Sequence, residues 1–481
     1  MSISNHNGPF LRRTKIVCTI GPSTGSPGMI RELIRAGMDV ARINFSHGTH
    51  KEHANYIKAL RRAAKQSDLP LAILQDLPGP KNRIGKLKNG VIELKENSGF
   101  VLTTKAILGD EERVSVDLPS LPQSVKPGDM IFLDDGAIKL KVTGTSKTDI
   151  NCQVISGGKL GEDKGINIPG ITWGAPTISD EDWDHLLFGL KHNVDFVALS
   201  FIREADDILK VRDFIRKRKG AAAVIAKIER REALDNLDEI LEAADGIMVA
   251  RGDLGIEIPI QRVPVVQKEI IQKCNRLGKP VIVATQMLES MVGAPYPTRA
   301  EVTDIANAVF DGADALMLSE ETAVGNYPVE AVSMMVQVVI EAEAALAYEE
   351  ILASKGKDLQ PQTDDAISYA ACHTAHQLGA VAIVAFTSSG STARRVSKYR
   401  PRVPILAITP NRATQRQLSL SWGTRAFQIP EPSRIAVLFA RGARVAQKTG
   451  VAKEGDLVVI TGGVPIGVPG STNLLKVEMV K

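Results

Sequence analysis

Eight short apolar runs rich in β-branched residues, each followed by a turn and then a helical pattern, constrain this chain more than any other feature. They occupy residues 14–20, 40–46, 71–77, 196–201, 223–229, 246–251, 280–285 and 315–320. A strand with one face in water alternates polar and apolar residues, whereas a continuous apolar run must be covered on both faces. In chains that alternate strand with helix, this means parallel strands under a layer of helices. Eight such units predict a (β/α)8 barrel.

The rhythm breaks between residues 77 and 173. Turn signals there (Lys88-Asn89-Gly90, Pro127-Gly128-Asp129, Asp134-Asp135-Gly136, Ser156-Gly157-Gly158) separate short alternating strands, which predict a small inserted β-barrel domain. Leaving the third strand at its C-terminal end, such an insertion overhangs the face where barrel active sites form, as a lid would. The barrel resumes and closes with one long helix over 328–354. A Gly- and Pro-containing linker over 355–363 precedes a second α/β rhythm, predicted as a doubly wound domain. The expected units are therefore 1–77 and 174–354 for the barrel, 78–173 for the lid and 364–481 for the C-terminal domain.

Composition narrows the function classes. With 59 Lys and Arg against 55 Asp and Glu, the net charge is only +4, too small and too evenly spread to suggest a nucleic-acid or membrane partner. Residues 1–13 contain no apolar segment of signal-peptide length, and the expected location is the cytoplasm. Cys18, Cys152, Cys274 and Cys372 lie far apart, without zinc or disulfide spacing, and read as reduced, buried residues. His47, His50 and His53 recur every three residues, as do His373 and His376. No cysteine or carboxylate completes a zinc set, so they read as packing or surface histidines.

The chemistry collects at the strand ends. Strand two ends with Arg42, Asn44 and Ser46, strand three with Asp76, strand five with Lys227 and Glu229, strand six with Arg251, Gly252 and Asp253, strand seven with Thr285 and strand eight with Ser319. Side-chain direction repeats every two residues, which puts Lys227 and Glu229 on one side. One Lys-x-Glu pair is ordinarily an exposed salt bridge, and Arg-Gly-Asp-Leu-Gly alone could be a turn entering a helix. Charged or polar groups ending six apolar strands are a different matter, because burying them without partners costs several kcal/mol. A mouth so lined suits a metal and an anion together. The turn at residues 252–255 could also present backbone N–H groups to a carboxylate or phosphate. No Gly-x-x-x-x-Gly-Lys-Ser/Thr loop is present.

Over essentially its whole length the chain resembles the pyruvate kinases. The resemblance is carried by residues 14–22 (TKIVCTIGP), 42–48 (RINFSHG), 226–229 (AKIE), 248–255 (MVARGDLG), 284–290 (ATQMLES), 317–319 (MLS) and 321–323 (ETA). It implies the barrel, lid and regulatory-domain architecture reached above, with phosphoenolpyruvate and ADP as substrates. Residue by residue, it implies Mg2+ on Glu229 and Asp253, with Mn2+ an alternative, and phosphoryl oxygens on Arg42 and Lys227. The substrate carboxylate would lie on the Gly252 and Asp253 backbone with the Thr285 hydroxyl. Thr285 and Ser319 would stand near a proton-delivering water chain, and Asn44, Ser46, His47 and Arg83 would serve ADP. A lysine that some members use for the nucleotide aligns with Leu187.

Two further expectations concern regulation. Lys81 occupies a position that many members fill with Glu beside a bound K+, so its ammonium is expected to stand in for that ion and K+ not to be required. The turn Thr387-Ser388-Ser389-Gly390-Ser391-Thr392 follows a strand and opens a helix, as a phosphate cradle or an ordinary capping turn would. The resemblance places an allosteric sugar-phosphate site there. No tryptophan occurs over 430–440, and family members that take a bisphosphate use one, which favours a monophosphate. The family also implies a homotetramer. Competing readings are another metal-dependent barrel acting on pyruvate or phosphoenolpyruvate, such as an aldolase, and a catalytically dead metabolite sensor.

Overall fold

The computed structural model describes residues 12–80, 82–134, 136–170, 176–430, 434–465 and 470–481. Strands β1 (Lys15–Ile20), β2 (Val40–Asn44), β3 (Ala72–Asp76), β4 (Phe196–Leu199), β5 (Ala223–Ile228), β6 (Gly246–Ala250), β7 (Val281–Ala284) and β8 (Ala315–Leu318) close into one parallel barrel. β1 pairs with β2 on one side and with β8 on the other.

Every barrel strand is buried on both faces, which is why the apolar runs are continuous. Val17, Val40, Leu74, Ala198, Ile225, Met248, Ile282 and Met317 fill the interior, while the alternate residues, such as Ile16, Ile73, Val197 and Val224, pack under the helices. This parity decides the mouth. Two residues beyond Val17, Val40, Leu74, Ala198, Ile225 and Met317 stand Thr19, Arg42, Asp76, Ser200, Lys227 and Ser319, all on the inward register.

The insertion between β3 and β4 forms a six-stranded sheet and a separate two-stranded ribbon around a core that includes Phe100, Leu102, Ile131, Leu140 and Val154. Isolated bridges Arg83 to Gly165 and Ile84 to Val116 carry the segment after the first hinge across to both sides of this sheet. At that hinge Gly79 has φ +68°, and a Cβ there would come within 3.0–3.1 Å of Phe201 and Ser200. Only glycine combines that conformation with so close an approach.

The expected helix over 328–354 is two helices, Pro328–Ala344 and Tyr348–Lys357. The chain breaks although neither Gly nor Pro lies at the junction, because the two halves serve different cores. Val332, Met335 and Val339 pack on the barrel, whereas Leu352 belongs to the core of the C-terminal domain with Ala371, Cys372 and Val396. The helix thus runs into the expected linker. In that domain β9 (Ala382–Phe386), β10 (Ile405–Thr409), β11 (Thr424–Gln428), β12 (Leu457–Gly463) and β13 (Thr472–Met479) form a sheet in the order β11-β10-β9-β12-β13, antiparallel only at β13. Leu420, from the segment before β11, is fully buried in the barrel's interior cluster and plugs its base. All four cysteines are buried and unpaired. Among the described residues no helix is long and apolar enough to cross a membrane.

Candidate active site

At the barrel mouth two cations and two carboxylates interlock. Arg42 Nε donates to Asp76 Oδ2 at 2.6 Å and its Nη1 to the Thr19 hydroxyl at 3.0 Å. Thr19 in turn donates to the Leu318 carbonyl. Lys227 Nζ lies 2.8 Å from Glu229 Oε1 and 3.3 Å from Asp76 Oδ1, and donates to Ser200 Oγ at 2.7 Å. Asp76 and Glu229 are almost fully buried, while the Lys227 side chain keeps 12% of its surface toward the mouth.

Burial works against the charged form of Lys227, but Asp76 and Glu229 outweigh it and hold the ammonium above its ordinary pKa. Asp76 is governed the same way. Burial raises its pKa, yet Lys227 and Arg42 prevail and keep the carboxyl below its usual range. At neutral pH Lys227 is therefore a fixed positive charge and not a proton donor. Thr19 and Ser200 were not among the residues expected here. The signal was the inward parity of β1 and β4, two strands whose ends carry hydroxyls instead of charges.

Glu229 Oε2 accepts the Phe201 N–H at 2.7 Å. Its Oε1, also buried, faces the Lys227 ammonium at 2.8 Å. Asp253 is half-buried in the first turn of the helix Arg251–Glu257. Among the described residues no group of three His, Cys, Asp or Glu could hold a metal. Mg2+ binds through one or two carboxylates plus water and substrate oxygens, and the Glu229 carboxylate, buried with its Oε1 met by the Lys227 ammonium, is of the donor type that suits such an ion.

On the opposite wall the Gly252 N–H donates to Thr285 Oγ1 at 2.9 Å, and that hydroxyl donates to the Ala284 carbonyl at 2.6 Å. Thr285 and Gln286 both adopt positive φ, +69° and +56°, a costly conformation for a β-branched residue. Arg251 holds it. Expected to line the mouth, its guanidinium instead turns outward to Asp304 at 2.7 and 2.9 Å and to the carbonyls of Ala284, Thr285 and Gln286. Ser319 donates its N–H to the buried Glu321 at 2.6 Å.

The remaining expected residues scatter more widely. Asn44 Oδ1 accepts the Ser46 N–H and shapes that loop, with His47 exposed beside it. Arg83 lies in the lid, its N–H on Asp117 and its guanidinium on the Asp163 carbonyl. Lys81 lies outside the described residues. Leu187 is not at the mouth at all. It lines a cleft at the barrel's base beside Asp195 and Arg416, because the helix Asp180–Lys191 runs from mouth to base and Leu187 is near its end. Of the histidines, His50 Nε2 is 2.7 Å from His185 Nδ1, and His53 packs on the Phe45 ring. Burial, with help from His50 and His185, pulls His53 down to about 4.

In the loop after β9, Thr387 Oγ1 accepts the Gly390 N–H, and Ser389 and Ser391 face one another at 3.2 Å on the surface. Thr392 departs from the set. Only 4% exposed, it bonds Thr472 at 2.7 Å and faces inward.

Comparison with known proteins gives one family throughout. Residues 11–332 match "Pyruvate kinase, barrel domain" and residues 365–478 match "Pyruvate kinase, alpha/beta domain". The pyruvate kinase of Geobacillus stearothermophilus is 48% identical over 472 residues, covering 98% of this chain and 80% of that one. That of Staphylococcus aureus (strain MRSA252) is 46% identical over 472 residues, covering 98% and 81%. The crystal structure of a pyruvate kinase from Cryptosporidium parvum superposes with a TM-score of 0.93 at 37% identity, covering 99% of this chain and 98% of that one.

Proposed function

The chain belongs to the pyruvate kinase family, and we propose that its barrel mouth moves the phosphoryl group of phosphoenolpyruvate onto ADP with Arg42 and Lys227 as the cationic grip. The observation that supports this most is the Lys227 ammonium, anchored by Asp76, Glu229 and Ser200 with its one open side toward the mouth. In the reaction the bond from phosphorus to the enol oxygen breaks, a bond to a terminal ADP oxygen forms, and the electron pair left behind makes an enolate. A preorganised point charge that needs no reorganisation lowers the energy of that charge build-up. Glu229 and Asp253 would hold the divalent ion that the family requires, magnesium or in its place manganese, which when bound supplies further positive charge to these oxygens.

Gly252 and Asp253 backbone groups with the Thr285 hydroxyl take the substrate carboxylate, the substrate displacing the Gly252 to Thr285 hydrogen bond. Because Lys227 keeps its proton, the enolate carbon takes its own from a water positioned by Thr285 and Ser319, neither of which has the pKa of a direct acid. Asn44, Ser46, His47 and, when the lid lies over the mouth, Arg83 contact ADP. A phosphorylated metabolite binds residues 387–391 and activates a cytoplasmic homotetramer. Lys81 replaces the K+ ion.

A lactate-dehydrogenase-coupled assay tests both levels of this reading. With Mg2+, phosphoenolpyruvate and ADP, turnover is expected well above background, and its absence refutes the central proposal. In a buffer balanced with a bulky organic cation at constant ionic strength, added KCl is expected to change kcat little. A rise beyond about tenfold, ~1.4 kcal/mol, refutes the role of Lys81 alone.

A further inference from the structure

At the base of the barrel, opposite the mouth, a cleft of about 370 Å3 opens between the ends of the helices Asp180–Lys191 and Ala205–Lys217 and the helix Arg412–Gln417 of the C-terminal domain. Four cations line it: Lys191, Arg218 and Lys219 from the barrel, and Arg416 from across the domain seam. Its single acid, Asp195, is fully buried and already satisfied. Its Oδ2 accepts from Arg61 and the Ile73 N–H, and its Oδ1 accepts Arg416 Nε at 2.5 Å.

Asp195 therefore has no charge left for the other three. Arg218 stacks its guanidinium 3.4 Å from the centre of the Phe214 ring, and neither it nor Lys191 or Lys219 has an ion-pair partner among the described residues. Like charges gathered around a concave, low-dielectric wall raise the local concentration of anions. The forked donors of Arg218 with the two exposed ammonium groups of Lys191 and Lys219 match phosphate oxygens, and Leu187, Leu190 and Ala413 offer an apolar floor to an attached organic body.

We propose that this cleft binds a small phosphate-bearing metabolite, at a site separate from both the barrel mouth and the loop 387–391. Such a ligand contacts barrel and C-terminal domain at once. It would also brace the helix Arg412–Gln417, which with the preceding Asn411 grips the effector loop, since Asn411 Nδ2 and Thr414 Oγ1 both donate to the Ser388 carbonyl.

The test is site-resolved amine footprinting of the full-length protein with inorganic pyrophosphate as the probe. Limiting acetylation is followed peptide by peptide by mass spectrometry, at matched ionic strength so that screening is constant. At about ten times its Kd the probe is expected to slow modification of Lys191 and Lys219 about tenfold, in proportion to the unbound fraction, while exposed Lys58 and Lys95 stay unchanged. Arg218→Glu, an exposed substitution, is expected to abolish the protection, and Ser389→Asp to leave it intact. Protection of Lys191 and Lys219 no greater than that of Lys58 and Lys95 overturns the site. So does protection that survives Arg218→Glu, or that disappears with Ser389→Asp.

Discussion

Lys227 is the side chain through which most of the mouth's electrostatics runs. Removing its charge while keeping its length, as in Lys227→Met, leaves Asp76 with Arg42 alone and Glu229 with only the Phe201 N–H. Transfer is expected to fall by about 10²–10³-fold or more in kcat, the scale of losing one preorganised donor, with KM for phosphoenolpyruvate much less affected. Retention of more than about a tenth of kcat would deny Lys227 that role. The same variant carries a stability signature. Asp76 has a depressed pKa in the fold, so it contributes stability that is present above the unfolded carboxyl value of about 4 and lost as pH falls through its folded value. Without Lys227 that depression shrinks, and acid unfolding monitored by circular dichroism is expected to begin at higher pH than in the parent. An unchanged midpoint would mean that Arg42 alone sets the Asp76 ionisation. Arg42, Asp76, Lys227 and Glu229 were legible in the sequence because charge at the end of an apolar strand is conspicuous. Thr19 and Ser200, which complete their hydrogen bonding, were not, because a hydroxyl there looks like any strand-end residue until the inward parity is counted.

At the scale of elements, function rests on short segments held in shape by neighbours far away in the chain. The turn after β7 keeps Thr285 at positive φ only because Arg251 ties three successive carbonyls to Asp304. The loop after β9 is cinched from inside by Thr387 and shaped beneath by the Thr392 to Thr472 pair. Thr392→Glu would bury an unpaired carboxylate, a fold defect whatever the loop binds. Ser389 is exposed on the outer side, and Ser389→Asp is the better probe of the effector reading. Activation by a sugar or nucleoside monophosphate is expected to be lost through repulsion between carboxylate and phosphate, with unactivated turnover retained. An activation constant equal to that of the parent would place the effector elsewhere. Composition alone located this loop, since hydroxyls and Gly between strand and helix suit an anion, but which hydroxyls face outward depends on Thr472, eighty residues on. The break between Ala344 and Tyr348 was equally illegible. Ala345-Leu346-Ala347 carries no helix-breaking residue, and the division arises from two cores competing for one amphipathic run. The residues of β11 carry no strand signal of their own, because the five include Arg425 and resemble a loop until paired with β10.

For the whole molecule, the C-terminal domain is built into the barrel's base and does not hang from a linker. Leu420 fills the barrel's lower interior, Arg400 reaches Asp314 at 3.1 Å and the Gly312 carbonyl, and Arg416 with Gln417 bonds Asp195 and the Ala221 carbonyl. No sequence pattern announces such a seam, because each contact joins residues far apart in the chain. Asp195 immediately precedes β4 and Ser200, which meets Lys227, immediately follows it, so any strain at the seam bears on a strand that supports the site. This makes the Asp195 cluster the place to measure how tightly the domains are joined. Asp195→Ala leaves Arg61, Arg416 and the Ile73 N–H without their shared acceptor and is expected to cost about 3–5 kcal/mol in urea unfolding, the scale for breaking a buried ion pair. Arg416→Met removes only its own tie across the seam and leaves Asp195 Oδ1 without that donor, while Arg61 and the Ile73 N–H still hold Oδ2, so about 1–3 kcal/mol is expected. Both need one fixed protein concentration, since association of subunits would add to apparent stability. In the double variant the Arg416 loss should largely vanish, because its acceptor is already gone. Full additivity of the two losses would show that Arg416 and Asp195 do not act as a pair and that the domains are joined by other contacts.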